Sequence, residues 1–313
     1  MEQSNHTIVS YFIIKGLTDD PELQAPIFVL ILFIYLICLG GNIMILLLVS
    51  LDPQLQTPMY FFLGNLSLLD ICSTTVTLHK ILFIFISGDN TMSFFCCITQ
   101  MYMFISLQGD VLLILTVMGY DRYVAICRPL HYQMVMNRRV CVGLATICWV
   151  IGYIEITPTL LAVLRFTCYK SNIINQFFCD VIPLKKLSCS DTTFLELYIL
   201  IEGGFIACLV PLILTFVSYV YIINAIMRIC SSTGRRKAFY TCSSHLTVVI
   251  LLYTTIFWQY LTPESMDTLA SKKLFSLFNT AVVPILNPLI YSLKNKDVKS
   301  SLRHMLKSCK VNV

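Results

Sequence analysis

Apolar residues along this chain neither alternate with polar ones nor keep to one helical face. They run unbroken for about 20 residues or more, the length that carries a helix across roughly 30 Å of hydrocarbon, as between Ile27 and Leu51 or Val140 and Leu164. Seven such runs predict helices at about 27–51, 58–86, 93–127, 140–164, 195–229, 237–261 and 272–293. A membrane barrel strand would instead show roughly ten residues of alternating polarity. The longest connection, about 165–194, is too short to hold a soluble domain. The pattern therefore predicts an all-α integral membrane bundle of seven transmembrane helices over 27–293, preceded by a tail at 1–26. A second tail at 294–313 is expected to begin with a short amphipathic helix after the seventh span.

Composition removes the soluble alternative: 57% of the 313 residues are hydrophobic and 12% charged, against about 25% charged in soluble domains. The surface must face lipid, where backbone polar groups are satisfied inside helices. Residues 1–26 lack an apolar stretch preceded by positive charge, so no cleavable signal peptide is expected. Lys and Arg in short flanking loops are retained on the cytoplasmic side. With the N-terminus extracellular, fourteen of the 22 lie inside, among them Arg122, Arg128, Arg138, Arg139, Arg228, Arg235, Arg236 and Lys237, and the C-terminus is cytoplasmic. That topology puts a multi-pass protein in the plasma membrane and makes Asn5, in Asn5-His6-Thr7, a glycosylation acceptor. Asn65-Leu66-Ser67 has the same pattern inside a helix and is not expected to be modified.

Polar residues at membrane depth are costly and informative. Asn42, Asp70 and Asn287 fall inside the first, second and seventh runs and are expected to form a polar network joining those helices. Of fourteen cysteines, Cys96, Cys97, Cys168, Cys179 and Cys189 lie at the extracellular end, where disulfides persist, but spacing alone assigns no bridge.

Four long strings stand at the cytoplasmic ends of helices. They are Thr57-Pro58-Met59-Tyr60-Phe61-Phe62-Leu63, Met118-Gly119-Tyr120-Asp121-Arg122-Tyr123-Val124-Ala125-Ile126-Cys127-Arg128-Pro129-Leu130-His131-Tyr132, Lys237-Ala238-Phe239-Tyr240-Thr241-Cys242-Ser243-Ser244-His245-Leu246 and Pro284-Ile285-Leu286-Asn287-Pro288-Leu289-Ile290-Tyr291-Ser292-Leu293-Lys294-Asn295-Lys296. Together they resemble the vertebrate olfactory receptors, a branch of the rhodopsin-like G-protein-coupled receptors, and the resemblance runs from about Asn5 to Lys307. It implies a switch at Asp121, Arg122 and Tyr123, with Tyr219, Asn287, Pro288 and Tyr291 as its moving partners. An adjacent ion pair at a helix end can exist in two arrangements, and Pro288 removes a backbone hydrogen bond, freeing groups to which Asn287 could bond. The resemblance also implies the bridges Cys97 to Cys179 and Cys168 to Cys189, with Cys96 spare, folding the long loop into a lid. The chain departs from the family at Val111, where Glu is frequent, at Gly119, where Ala is usual, and at Gln176, where His is common.

Ligand sites in bundles lie between helices. Counting from the strings gives candidate faces of Met101, Phe104, Ile105, Gln108 and Gly109 on the third helix, Gly203 and Ala207 on the fifth, and Tyr253, Ile256, Phe257 and Tyr260 on the sixth. Such a cavity has aromatic walls and no clear fixed charge, which suits small, mostly uncharged volatile molecules. The expected function is that of an odorant receptor activating a stimulatory, olfactory-type heterotrimeric G protein to raise cyclic AMP. The alternative is a non-olfactory rhodopsin-like receptor for a small lipid-like ligand. A transporter would be expected to show inverted repeats, and an enzyme a nucleophile with its base or a metal cluster; neither pattern is present in the sequence. Membrane lipids are the other expected partners; no cofactor, metal or nucleic acid is called for.

Overall fold

A computed structural model of the chain describes residues 9–18, 20–260, 269–294 and 298–303. Seven of its helices are long and apolar enough to cross a membrane. The first six are Pro21–Leu51, Pro58–Ser87, Phe94–Cys127, Arg138–Leu164, Thr193–Met227 and Ser232–Tyr260, and the seventh runs from Leu269 to Lys294. Their outward faces carry large exposed apolar side chains such as Phe33, Ile86, Ile154 and Phe216, as lipid contact requires.

Local signals set the helix ends. The first helix starts at Pro21 because Asp20 caps it, its Oδ1 accepting the Glu22 N–H at 3.0 Å, with Pro21 in the first helical position. This moves the expected start of the bundle from 27 back to 21. The second ends at Gly88, whose φ of +70° suits a left-handed cap. The sixth begins at Ser232, not at 237, so Arg235 and Arg236 lie on its first exposed turns. Residues 298–303 form the short helix expected after the seventh, with Val298 and Ser301 buried while Lys299 and Arg303 are exposed.

The tail expected over 1–26 is not wholly irregular. Tyr11–Ile14 forms β1, which lies antiparallel to β2, Thr91–Ser93, pairing Phe12 with Met92. Its other edge pairs in parallel with β3, Ile173–Ile174, in the long loop, giving the order β2-β1-β3. Disulfides join Cys97 to Cys179 and Cys168 to Cys189, with Cα atoms 5.3 and 5.4 Å apart, while Cys96 is free and exposed. The loop thereby closes one end of the bundle. Phe177 and Phe178, both fully buried, are driven down among the helices, and Phe178 meets Phe104 edge to face at 4.9 Å. Gln100 clamps this lid, donating to the Val76 carbonyl at 2.7 Å and accepting the Cys179 N–H at 2.8 Å. Beside β1, burial pushes the Tyr169 phenol up to about 12.

Two spans are interrupted by wider π-helical turns, Ile199–Leu209 in the fifth and Phe278–Val282 in the seventh. A π turn takes more residues than an α turn and is frequent at functional sites. Close under the lid lies a largely apolar cavity, lined by residues of both turns.

Candidate functional site

The cavity has a volume of about 300 Å³ and opens between the third, fourth, fifth and sixth helices, with the seventh contributing Asn279. Its apolar walls are Ile105, Leu112, Ile156, Ile199, Leu200 and Ile256, and Val181 and Ile182 of the lid roof it. Gly109 and Gly152 make the third and fourth helices approach closely, since a Cβ on Gly109 would stand 3.7 Å from the Gly152 Cα. A Cβ on Gly152 would overlap the Asp110 carboxylate, so only glycine fits there. Small residues at such crossings are how membrane helices pack without a hydrophobic driving force.

Of the candidate ligand face, Ile105, Gln108, Gly109, Gly203, Ala207 and Ile256 line this cavity. Met101 and Phe104 do not: Met101 is buried in the lid core with Phe12 and Cys179, and Phe104 is covered by Phe178. Tyr253 stands behind the wall, its hydroxyl donating to the Cys208 carbonyl at 3.3 Å. Phe257 is 56% exposed and faces outward, against Trp258. The side chain of Tyr260 and all of Asn5 lie outside the described residues.

The expectation of a cavity without fixed charge is corrected. Glu155 of the fourth helix and Glu202 of the fifth line it, and Glu196 stands at its rim, held by Lys185 at 3.3 Å. Counting helical faces on three helices omitted the fourth. Glu202 lies in the π-helical turn Ile199–Leu209, which has no α-helical periodic signature to read.

At the other end of the third helix, Asp121 is fully buried and holds Arg122 through both Nε, at 2.9 Å, and Nη2. Tyr132, just past the helix, donates its hydroxyl to the other Asp121 oxygen at 2.8 Å. Burial, and then the Asp121 carboxylate, push the Tyr132 phenol above its ordinary value, so it keeps its proton to donate. Tyr219 stacks on His245 with rings 4° from parallel, and its hydroxyl lies 2.8 Å from Nδ1. His245 Nε2 is 2.9 Å from the Leu115 carbonyl; that oxygen can only accept, so Nε2 carries the hydrogen. Tyr219 and Tyr291 share no hydrogen bond in this arrangement. Tyr291 is 1% exposed and its hydroxyl has no partner among the described residues.

The three network residues are all buried, but they divide the work. Asn287 Nδ2 donates to Asp70 Oδ2 at 2.8 Å. Pro288 cannot bond back to the carbonyl of Pro284, and it is Asn42 of the first helix, not Asn287, that takes this freed oxygen, at 3.0 Å. Sequence reasoning named Asn42 but could not say which freed group it served. Asn65 is spoken for as well: its Oδ1 accepts from Trp149 Nε1 at 3.2 Å.

A family profile described as olfactory receptor matches residues 31–309. The chain is 46% identical to human olfactory receptor 6C1 over 301 residues, 96% of each chain. It is 43% identical to mouse olfactory receptor 8U3, covering 98% of this chain and 96% of that one. To human olfactory receptor 13C2 it is 43% identical over 98% of both.

Proposed function

The chain belongs to the olfactory receptor family and is an odorant receptor, not an enzyme; on that premise we propose that its ligand binds in the cavity beneath the lid and that its coupling partner is a stimulatory, olfactory-type G protein that raises cyclic AMP. The observation that carries the ligand site is the enclosure itself. A space of about 300 Å³, apolar over most of its wall, with a few placed polar groups and two helix interruptions, has the makeup of a small-molecule site.

The chain is a multi-pass membrane protein. We place the disulfide-bonded, strand-capped end outside the cell and the Asp121–Arg122 end in the cytoplasm, since disulfides persist outside and basic loops are retained inside. Asp121, Arg122, Tyr123, Tyr219, Asn287, Pro288 and Tyr291 then form the transmission switch. Arg122 exchanges Asp121 for the G protein, and the unpartnered Tyr291 hydroxyl gains a partner as the Pro288 segment moves. A panel of volatile molecules read out by cyclic AMP in cells that express the stimulatory G protein tests the whole reading. Arg122→Ala should reach the cell surface and lose the response; normal signalling by that variant removes Arg122 from the mechanism.

A further inference from the structure

We infer that the ligand is a small protonated amine, held by the Glu155 and Glu202 carboxylates on the cavity wall. This rests on the reading of the cavity as the ligand site and goes beyond it to the chemical class.

Apart from the Thr159 hydroxyl and the Cys208 thiol, the side-chain polar groups that line the cavity are carboxylates and amides. None of its lining residues is Lys, Arg or His. The amide nitrogens of Gln108 and Asn279 are committed elsewhere, to Ser73 Oγ and Gln259 Oε1, each at 3.2 Å. Three buried atoms of lining residues lack a partner: Gln108 Oε1, Glu202 Oε1 and Asn279 Oδ1. All three are oxygens, and Asn279 is 2% exposed. A further carboxylate, Asp110, stands directly behind the wall against the Gly152 backbone, fully buried and with no side-chain partner among the described residues. Glu196 is set aside because Lys185 and Thr192 already hold it.

A half-buried carboxylate in an apolar wall is stabilised by a countercharge, and a buried acceptor needs a donor. Ketones, aldehydes and esters bring only further acceptors, and an alcohol brings one donor. An ammonium brings three donors and the missing charge. A metal cation would need a tighter set of ligands, and no group of three or more His, Cys, Asp or Glu side chains suited to one occurs among the described residues. The Ile105, Leu112, Ile156, Ile199 and Ile256 walls receive the hydrocarbon part, and a volume at the small end of ligand sites keeps it short.

The test uses the full-length receptor, purified into lipid nanodiscs, with saturation-transfer NMR of cyclohexylamine and cyclohexanol at neutral pH. These probes share a shape and differ in charge and donor number. Cyclohexylammonium should bind at least about tenfold more tightly than the alcohol, because a site built to pair a polar group rejects the analogue that lacks it. Glu202→Gln and Glu155→Gln should each erase that preference, and Ala207→Phe, which fills the cavity, should remove binding of both probes. Equal affinities, a preference for the alcohol, or no binding of either to the wild type overturns the inference; if Ala207→Phe still blocks an uncharged agonist, the cavity remains the ligand site. An amine preference that survives both Gln variants and Ala207→Phe places the ligand elsewhere and overturns the site as well. If either Gln variant fails to fold, the wild-type ratio of amine to alcohol alone still decides.

Discussion

Gln108 shows what a single side chain contributes at this depth. Its nitrogen is tied to Ser73 while its oxygen faces the cavity without a partner. Gln108→Leu should weaken agonists that bring a hydroxyl or ammonium by about one to two powers of ten, the effect of roughly 1–3 kcal/mol for an unmade hydrogen bond, and spare hydrocarbon-like ones. Dose–response curves at matched surface expression check this; an equal shift for every agonist would make Gln108 a packing residue. Gly119 offers the opposite case. A Cβ there would sit 3.6 Å from His245 and 3.7 Å from Thr215, ordinary contact distances. Gly119→Ala should therefore stabilise the third helix by about 1 kcal/mol, read as a higher thermal midpoint of the purified receptor. Single residues were unevenly legible in the sequence. Asp121 and Arg122 stood in a long string, whereas Glu155 stood in none, and the bond from Tyr132 to Asp121 joins residues on two different segments. Met101 and Phe104 had the right spacing for the cavity but lost it to Phe177 and Phe178 arriving from a loop, which helical periodicity cannot foresee.

Helix seven shows how an element is completed by its neighbours. Pro284 and Pro288 leave the carbonyls of Thr280 and Pro284 without their usual donors, and Thr74 and Asn42 of other helices approach them, at 3.5 and 3.0 Å. Asn42→Leu should lower stability by about 1–2 kcal/mol, the range for interhelical hydrogen bonds in membranes, measured by thermal unfolding in detergent. Combined with Pro288→Ala, which restores the missing N–H, the loss should shrink, since the two changes act on one carbonyl. Additive losses would show that Asn42 serves another purpose. The existence and order of the seven helices were readable because each is a long apolar run. Their starts at Pro21 and Ser232 were not, because those turns are polar and are fixed by a cap or by solvent. The π-helical turns at Ile199–Leu209 and Phe278–Val282 left no mark in a sequence read with α-helical spacing, although they aim Glu202 and Asn279.

Taken whole, the molecule is a bundle closed at one end by two disulfides and a three-stranded sheet. Cys97→Ser and Cys179→Ser should each reduce surface delivery, and the double variant should fare no worse than either single, because both remove one bond. Flow cytometry of intact cells against an N-terminal tag checks both this and the proposed orientation. The sequence carried the bundle, and its resemblance to a family carried the disulfide pairs. The sheet that seals the lid was invisible, because β1 is four residues long and both of its partners are distant in sequence. That sheet also orders events in time. Tyr11–Ile14 is made before any helix, yet its second partner, Ile173–Ile174, leaves the ribosome only after four spans have been synthesised. At roughly 5–20 residues per second this is a wait of about 10–30 s. Thr91–Ser93 can cover one edge of the strand about halfway through that interval, but the other edge stays open to its end, and so this early-made segment is among the last to find its place.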